Sequence, residues 1–159
     1  MTRKELAEKL FFEGYACSQA IVLAFSDLIA MDKEQLKKIS LPFGGGIGRL
    51  RLTCGAYSGM LMVVSLLFSN FEDLEENKIK TYEIVRELAS TFELNLGTLS
   101  CKELLEKVDV IVQIGGNPDK RTEEYYKQRP CAKIVYEAGR MLEEYLIKKN
   151  VINDTNINI

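Results

Sequence analysis

Four cysteines, Cys17, Cys54, Cys101 and Cys131, are the residues of this 159-residue chain best suited to chemistry. The chain has no histidine and no tryptophan. Without histidine there can be no Ser–His or Cys–His nucleophile pair, no histidine acid–base step, and no His-ligated zinc or haem. Successive cysteines lie 37, 47 and 30 residues apart, and no C-x-x-C occurs. That spacing argues against a thioredoxin-type pair and against a zinc ribbon, both of which need close pairs. A site using all four thiols has to be assembled by the tertiary fold.

Each cysteine sits just after a helix breaker or cap. Cys17 comes three residues after Gly14, and Cys54 follows Thr53, a candidate N-cap. Cys101 follows Ser100, which has capping-box spacing to Glu103, and Cys131 follows Pro130. All four thiols are therefore expected in the first turn of four different helices. There, free N–H groups and the positive end of the helix dipole are expected to lower a thiol's pKa. Such a thiol is a better metal ligand or nucleophile. The alternative is that the cysteines pack as small buried hydrophobes.

The elements that would position them read as helices throughout. "TRKELAEKLFFEG" opens on Thr2 and Glu5 at capping-box spacing and stops at Gly14. "CSQAIVLAFSDLIA" and "DKEQLKKIS" follow, the second capped by Asp32 and ended by Pro42. A long apolar helix starts near Cys54, and another near Asp73 carries Tyr82, Val85, Leu88, Ala89 and Phe92 on one face. "CKELLEKVDVIVQI" starts afresh and is kept helical, because its β-branched end has no partner strand. "GGNPD" is a loop, "RTEEYYKQRP" a short helix or turn, and "PCAKIVYEAGRMLEEYLIKKN" a closing amphipathic helix. The expected fold class is all-α: a single-domain bundle of about six helices over residues 1–150, with a frayed polar tail over 151–159.

The stretch "FGGGIGRLRLTCGAYSG" places six glycines around Cys54. It lacks the Lys-Ser/Thr of a phosphate-binding loop and no strand precedes it, so a tight approach to a helix start is the better reading. Gly55 and Gly59 are four apart on one helix face and would leave room for a cofactor or a neighbouring backbone. Arg49 and Arg51 could balance an anionic cluster, although solvated surface arginines are the commoner outcome. Tyr57 is expected in the core with its hydroxyl bonded.

Composition limits the partners. A net charge of −2 with interspersed charges disfavours nucleic acid. The uncharged run from Leu52 to Phe71 contains Gly, Ser, Thr and Asn, so it reads as a buried helix rather than a membrane span. The charged N-terminal stretch does not read as a signal peptide, so a reducing cytoplasm is expected, where cysteines are free, metal-bound or catalytic.

In "GYACSQAIVLAF", "FGGGIGRLRLTCGAYSG", "GTLSCKELL" and "RPCAKIVYEAGRML" the chain resembles the redox-active family named C_GCAxxG_C_C after its cysteine pattern. The Cys-Gly-Ala-x-x-Gly core falls on Cys54, Gly55, Ala56 and Gly59. The resemblance implies a small bacterial or archaeal helical protein, often associated with transporter or oxidoreductase systems, whose four cysteines are the functional centre. A similar domain occurs in the split-Soret type of cytochrome c, which carries an iron–sulfur centre. Its haem has no counterpart here, because neither C-x-x-C-H nor any histidine is present.

The leading expectation is a metal centre with Cys17, Cys54, Cys101 and Cys131 as ligands and Gly55 and Gly59 beside it: a 2Fe–2S cluster for electron transfer or redox sensing. Zinc is the alternative metal. A metal-free thiol–disulfide protein is the second reading, and a helical partner-binding module with structural cysteines the third. A redox partner protein follows from the first reading, and a homodimer could bury part of the apolar helix.

Overall fold

The structure, a computed structural model, describes residues 1–157. Eight right-handed helices follow in chain order: α1 (Arg3–Phe12), α2 (Cys17–Ala24), α3 (Lys33–Ser40), α4 (Gly55–Phe68), α5 (Leu74–Leu96), α6 (Cys101–Glu106), α7 (Glu123–Gln128) and α8 (Cys131–Lys148). No strand occurs among the described residues, so the fold is all-α, with eight helices rather than about six. The start signals act as their chemistry dictates. The Thr2 hydroxyl accepts from Glu5 N–H while the Glu5 carboxylate accepts from Thr2 N–H, closing the capping box. Asp32 and Asp73 cap α3 and α5.

Helix α2 is the centre of the core. Every residue from Ser18 to Ala24 is buried, and full burial of each of Ile21, Val22 and Leu23 contributes about 1.5–3 kcal/mol. Its polar residues are satisfied: Ser18 Oγ donates to the Ser40 carbonyl at 2.7 Å, and Gln19 Nε2 to the Lys37 carbonyl at 3.0 Å. Helix α4 lies against α2, and α1 against α8. Both pairs approach closely through glycine. A Cβ on Gly59 would stand 2.9 Å from the Ser18 carbonyl oxygen and 2.9 Å from Ile21 Cβ, and one on Gly139 would stand 2.8 Å from Lys4 Cα.

The segment 110–114 is neither helix nor strand. Helix α6 ends at Glu106, and Asp109 turns left-handed at φ 59°. The chain beyond it is held by arginine side chains described below, which takes the place of helical hydrogen bonds. The segment 151–157 turns back onto the N-terminus. Ile152 is buried, Asn156 bridges Thr2, and Ile157 N–H donates to the Met1 carbonyl. Residues 158 and 159 lie outside the described residues. Tyr82, expected on the buried face of α5, is exposed; Leu88 and Phe92 are the buried residues of that helix. No helix among the described residues is long and apolar enough to cross a membrane. The apolar run instead buries its first half, Gly55 to Met60, in the core.

Candidate redox centre

The four cysteines reach one place from four helix starts. Cys17, Cys101 and Cys131 are the first residues of α2, α6 and α8, and Cys54 is itself the N-cap of α4. Thr53 therefore does not cap that helix. Its backbone instead pairs antiparallel with Ser100, with Cys54 N–H donating to the Leu99 carbonyl at 2.7 Å and Cys101 N–H to the Leu52 carbonyl at 2.7 Å. This two-bond ladder ties Cys54 to Cys101 across 47 residues of sequence. Ser100 caps α6 by accepting from Glu103 N–H, but Glu103 turns its carboxylate to the Thr98 hydroxyl, so no reciprocal box closes. Pro130 is the N-cap of α8 rather than its first helical residue.

All four cysteines line a single cavity of about 20 Å³, roughly the room one water needs. Gly55, Leu104, Leu105 and Ile134 complete its wall, so its only polarisable donors are sulfur. None of the thiols is in a disulfide; Cys54 is buried and the other three are half-buried. Among the described residues no three metal-ligating side chains converge tightly enough to hold one ion.

The glycine-rich stretch makes this convergence fit. A Cβ on Gly55 would lie 3.2 Å from Cys17 Sγ and 2.7 Å from the Phe43 carbonyl oxygen. A Cβ on Gly46 would lie 2.6 Å from Cys101 Cβ and 2.8 Å from Leu52 N. Gly59, by contrast, does not line the cavity; it packs α4 on α2. The chain reaches Gly55 through an unusual turn: Gly45, Gly46, Ile47, Gly48 and Arg49 all have φ between 57° and 67°. Gly48 N–H donates to the Gly44 carbonyl at 2.9 Å within it. For Ile47 and Arg49 a left-handed backbone costs about 1–2 kcal/mol each.

That turn aims two arginines inward. Arg49 and Arg51 are 8% and 7% exposed, so they are not the solvated surface arginines expected from the sequence. Arg51 Nε donates to the Gln113 carbonyl at 3.0 Å and its Nη1 to Cys101 Sγ at 3.8 Å. Arg49 Nε donates to the Gly115 carbonyl at 2.8 Å. The two guanidinium groups thus anchor the irregular 110–115 segment while one of them sits against a sulfur. Only the run of glycines hinted at this turn. Tyr57 behaves as expected: it is buried and donates to the Val85 carbonyl at 2.8 Å.

The expected lowering of the thiol pKa is overturned for Cys54, Cys101 and Cys131. Burial raises the Cys54 thiol well above its ordinary value, with the neighbouring Cys17 adding to it, and the N–H groups of Ala56 and Tyr57 only partly offset this. Burial, followed by Cys17 and Cys101, pushes Cys131 up to about 12. Burial also raises Cys101, against the opposing pull of Arg51. The apolar wall outweighs the helix-start N–H groups, so burial favours the protonated form of these three thiols. Cys17 acts on each of the other three sulfurs.

Fold and site together define a class: an all-helical protein whose thiols converge from separate helix starts on one cavity. The family described as "Putative redox-active protein (C_GCAxxG_C_C)" matches residues 15–145, and the chain belongs to it. Neither the comparison with curated proteins nor that with solved structures finds a match.

Proposed function

We propose that Cys17, Cys54, Cys101 and Cys131 hold a 2Fe–2S cluster and that the protein transfers electrons or senses redox state through it. The observation that carries this reading is the lining of one cavity by all four thiols, with no other donor in its wall. A 2Fe–2S unit takes four cysteines in all, two on each iron. A tetrahedral zinc with all four thiolates at one point is the alternative metal. The cavity, about 20 Å³, is smaller than a 2Fe–2S unit, so the thiols would move apart to hold it; Gly55 leaves room for that, since any side chain there would press on Cys17 Sγ.

Such a cluster accepts and returns one electron when bound. The chain's own residues do the rest. Arg51 and the helix-start N–H groups offset thiolate charge, and Leu104, Leu105 and Ile134 close the apolar side of the thiol cavity. The electron would pass to a redox partner protein in a reducing cytoplasm, with the chain alone or as a homodimer. The metal-free thiol–disulfide reading is the weaker at Cys54, Cys101 and Cys131, where burial favours the thiol over the attacking thiolate.

Single Cys→Ser variants of all four residues, produced anaerobically, test the reading. Each is expected to lose the visible absorption of the cluster and its iron. Retention of full iron and colour by any one of them would remove that cysteine from the ligand set. Zinc binding without iron or sulfide would replace the cluster with the metal alternative.

A further inference from the structure

Beside the thiol cavity lies a larger cleft of about 270 Å³ that opens onto three of the thiols, Cys17, Cys101 and Cys131. Four arginines line it, Arg49, Arg51, Arg121 and Arg129, against a single carboxylate, Asp119. No lysine or other acid lines it, so the cleft carries a net charge of three positive.

These guanidinium groups are fixed in place and incompletely used. Arg49 is committed through Nε to Gly115 and through Nη1 to Asp119 at 3.1 Å. Arg121 donates to the Phe11 and Tyr15 carbonyls and stacks 4.3 Å over the Phe11 ring and 4.9 Å over that of Tyr125. Arg129 meets Asp119 at 2.6 Å and lies 5.2 Å over Tyr125. Among the described residues Nη2 of Arg49, Nη2 of Arg51, and Nε and Nη1 of Arg129 donate to no protein acceptor. The Arg49 and Arg129 side chains are 10% and 13% exposed, so their free nitrogens face the cleft from sheltered, partly desolvated positions.

We infer that this cleft binds a small polyanion, a divalent inorganic oxyanion or a short dicarboxylate, beside the thiols. Guanidinium forks held by carbonyls and aromatic faces are pre-organised for oxygen anions. Asp119 stands where the ligand's first oxygen atoms would compete for Arg49 and Arg129. The binding stands on the cleft alone; that the anion reacts at, or regulates, the centre rests on the function proposed above.

The test is calorimetric titration of the metal-free, fully reduced protein with sulfate and with succinate at low ionic strength. That preparation holds no cluster, so its outcome is separate from that of the iron measurements. Saturable binding of at least one anion is expected, and the tighter of the two tells an inorganic oxyanion from a dicarboxylate. Arg129→Gln should weaken binding about tenfold or more. Asp119→Asn, which removes the competing carboxylate, should tighten it. Absence of saturable binding by both anions, or affinities unchanged in both variants, would overturn the inference.

Discussion

Replacing Gly55 by alanine should damage both the fold and the centre, and the structure says by how much. The new Cβ would sit 2.7 Å from the Phe43 carbonyl oxygen, 3.3 Å from Gly44 Cα and 3.2 Å from Cys17 Sγ. Two of these three atoms are backbone and cannot rotate away, so the turn before Cys54 has to shift. Overpacking of this kind costs about 1–3 kcal/mol, and alanine's better helix propensity returns up to about 1 kcal/mol. With the full return the net loss is up to about 2 kcal/mol, which for a domain of this size lowers Tm by up to roughly 8 °C; the 2.7 Å approach to a backbone oxygen puts it toward the upper end. Gly59→Ala is the matched control. Its Cβ meets the Ser18 carbonyl oxygen and Ile21 Cβ, both at 2.9 Å, and none of its three nearest contacts is a cysteine. Thermal melts of the reduced, metal-free proteins should show both variants destabilised. Iron per chain after anaerobic production should fall in Gly55→Ala and hold in Gly59→Ala. A Gly55→Ala protein with the stability and iron content of the parent would refute the claim that this glycine makes room for the centre.

Three further outcomes follow from the site and core. Arg51→Gln removes the cation against Cys101 Sγ, and should lower the reduction potential of the loaded protein by roughly 50 mV, read by potentiometric titration. Reduced, metal-free protein should lose stability as pH rises above 9. Unfolded Cys131 ionises near its ordinary 9.0 while the folded thiol keeps its proton to about 12, so the folded state binds more protons in that window. The loss is at most on the order of 1 kcal/mol per pH unit, and denaturant melts of the parent and of Cys131→Ser would show it shrink in the variant. Glu143, fully buried, accepts from Lys4 N–H at 3.0 Å, leaves Oε2 without a hydrogen bond, and has its carboxyl pKa raised by burial. Glu143→Gln keeps the acceptor without the charge and should match or exceed the parent's stability at pH 7, whereas Glu143→Ala should lose about 2 kcal/mol or more by denaturant melt.

Local signals in the sequence carried much of this fold. Caps at Thr2, Asp32, Asp73 and Ser100 act within three residues of their targets, so the pattern of side chains is enough to read them. The placement of the cysteines at helix starts was legible for the same reason. What escaped depends on contacts distant along the chain. The pairing of Thr53 with Ser100, which displaces Thr53 from its capping role, joins segments with little strand character. The burial of Arg49 and Arg51 follows from consecutive left-handed residues, a conformation that glycines permit but do not announce. "VDVIVQI" loses its helix because Asp109 turns left-handed and Arg51 captures the Gln113 carbonyl, a partner 62 residues away. The thiol pKa values went against expectation because dipoles are readable from position, while the apolar wall of Leu104, Leu105 and Ile134 is a product of packing.

The central claim, a cluster held by Cys17, Cys54, Cys101 and Cys131, is tested most directly by iron and acid-labile sulfide analysis of anaerobically produced and reconstituted protein. About two iron and two sulfide per chain are expected, with visible absorption that bleaches on reduction as an S = 1/2 electron paramagnetic resonance signal appears. Protein that remains colourless, free of iron and sulfide, after that treatment would contradict the account.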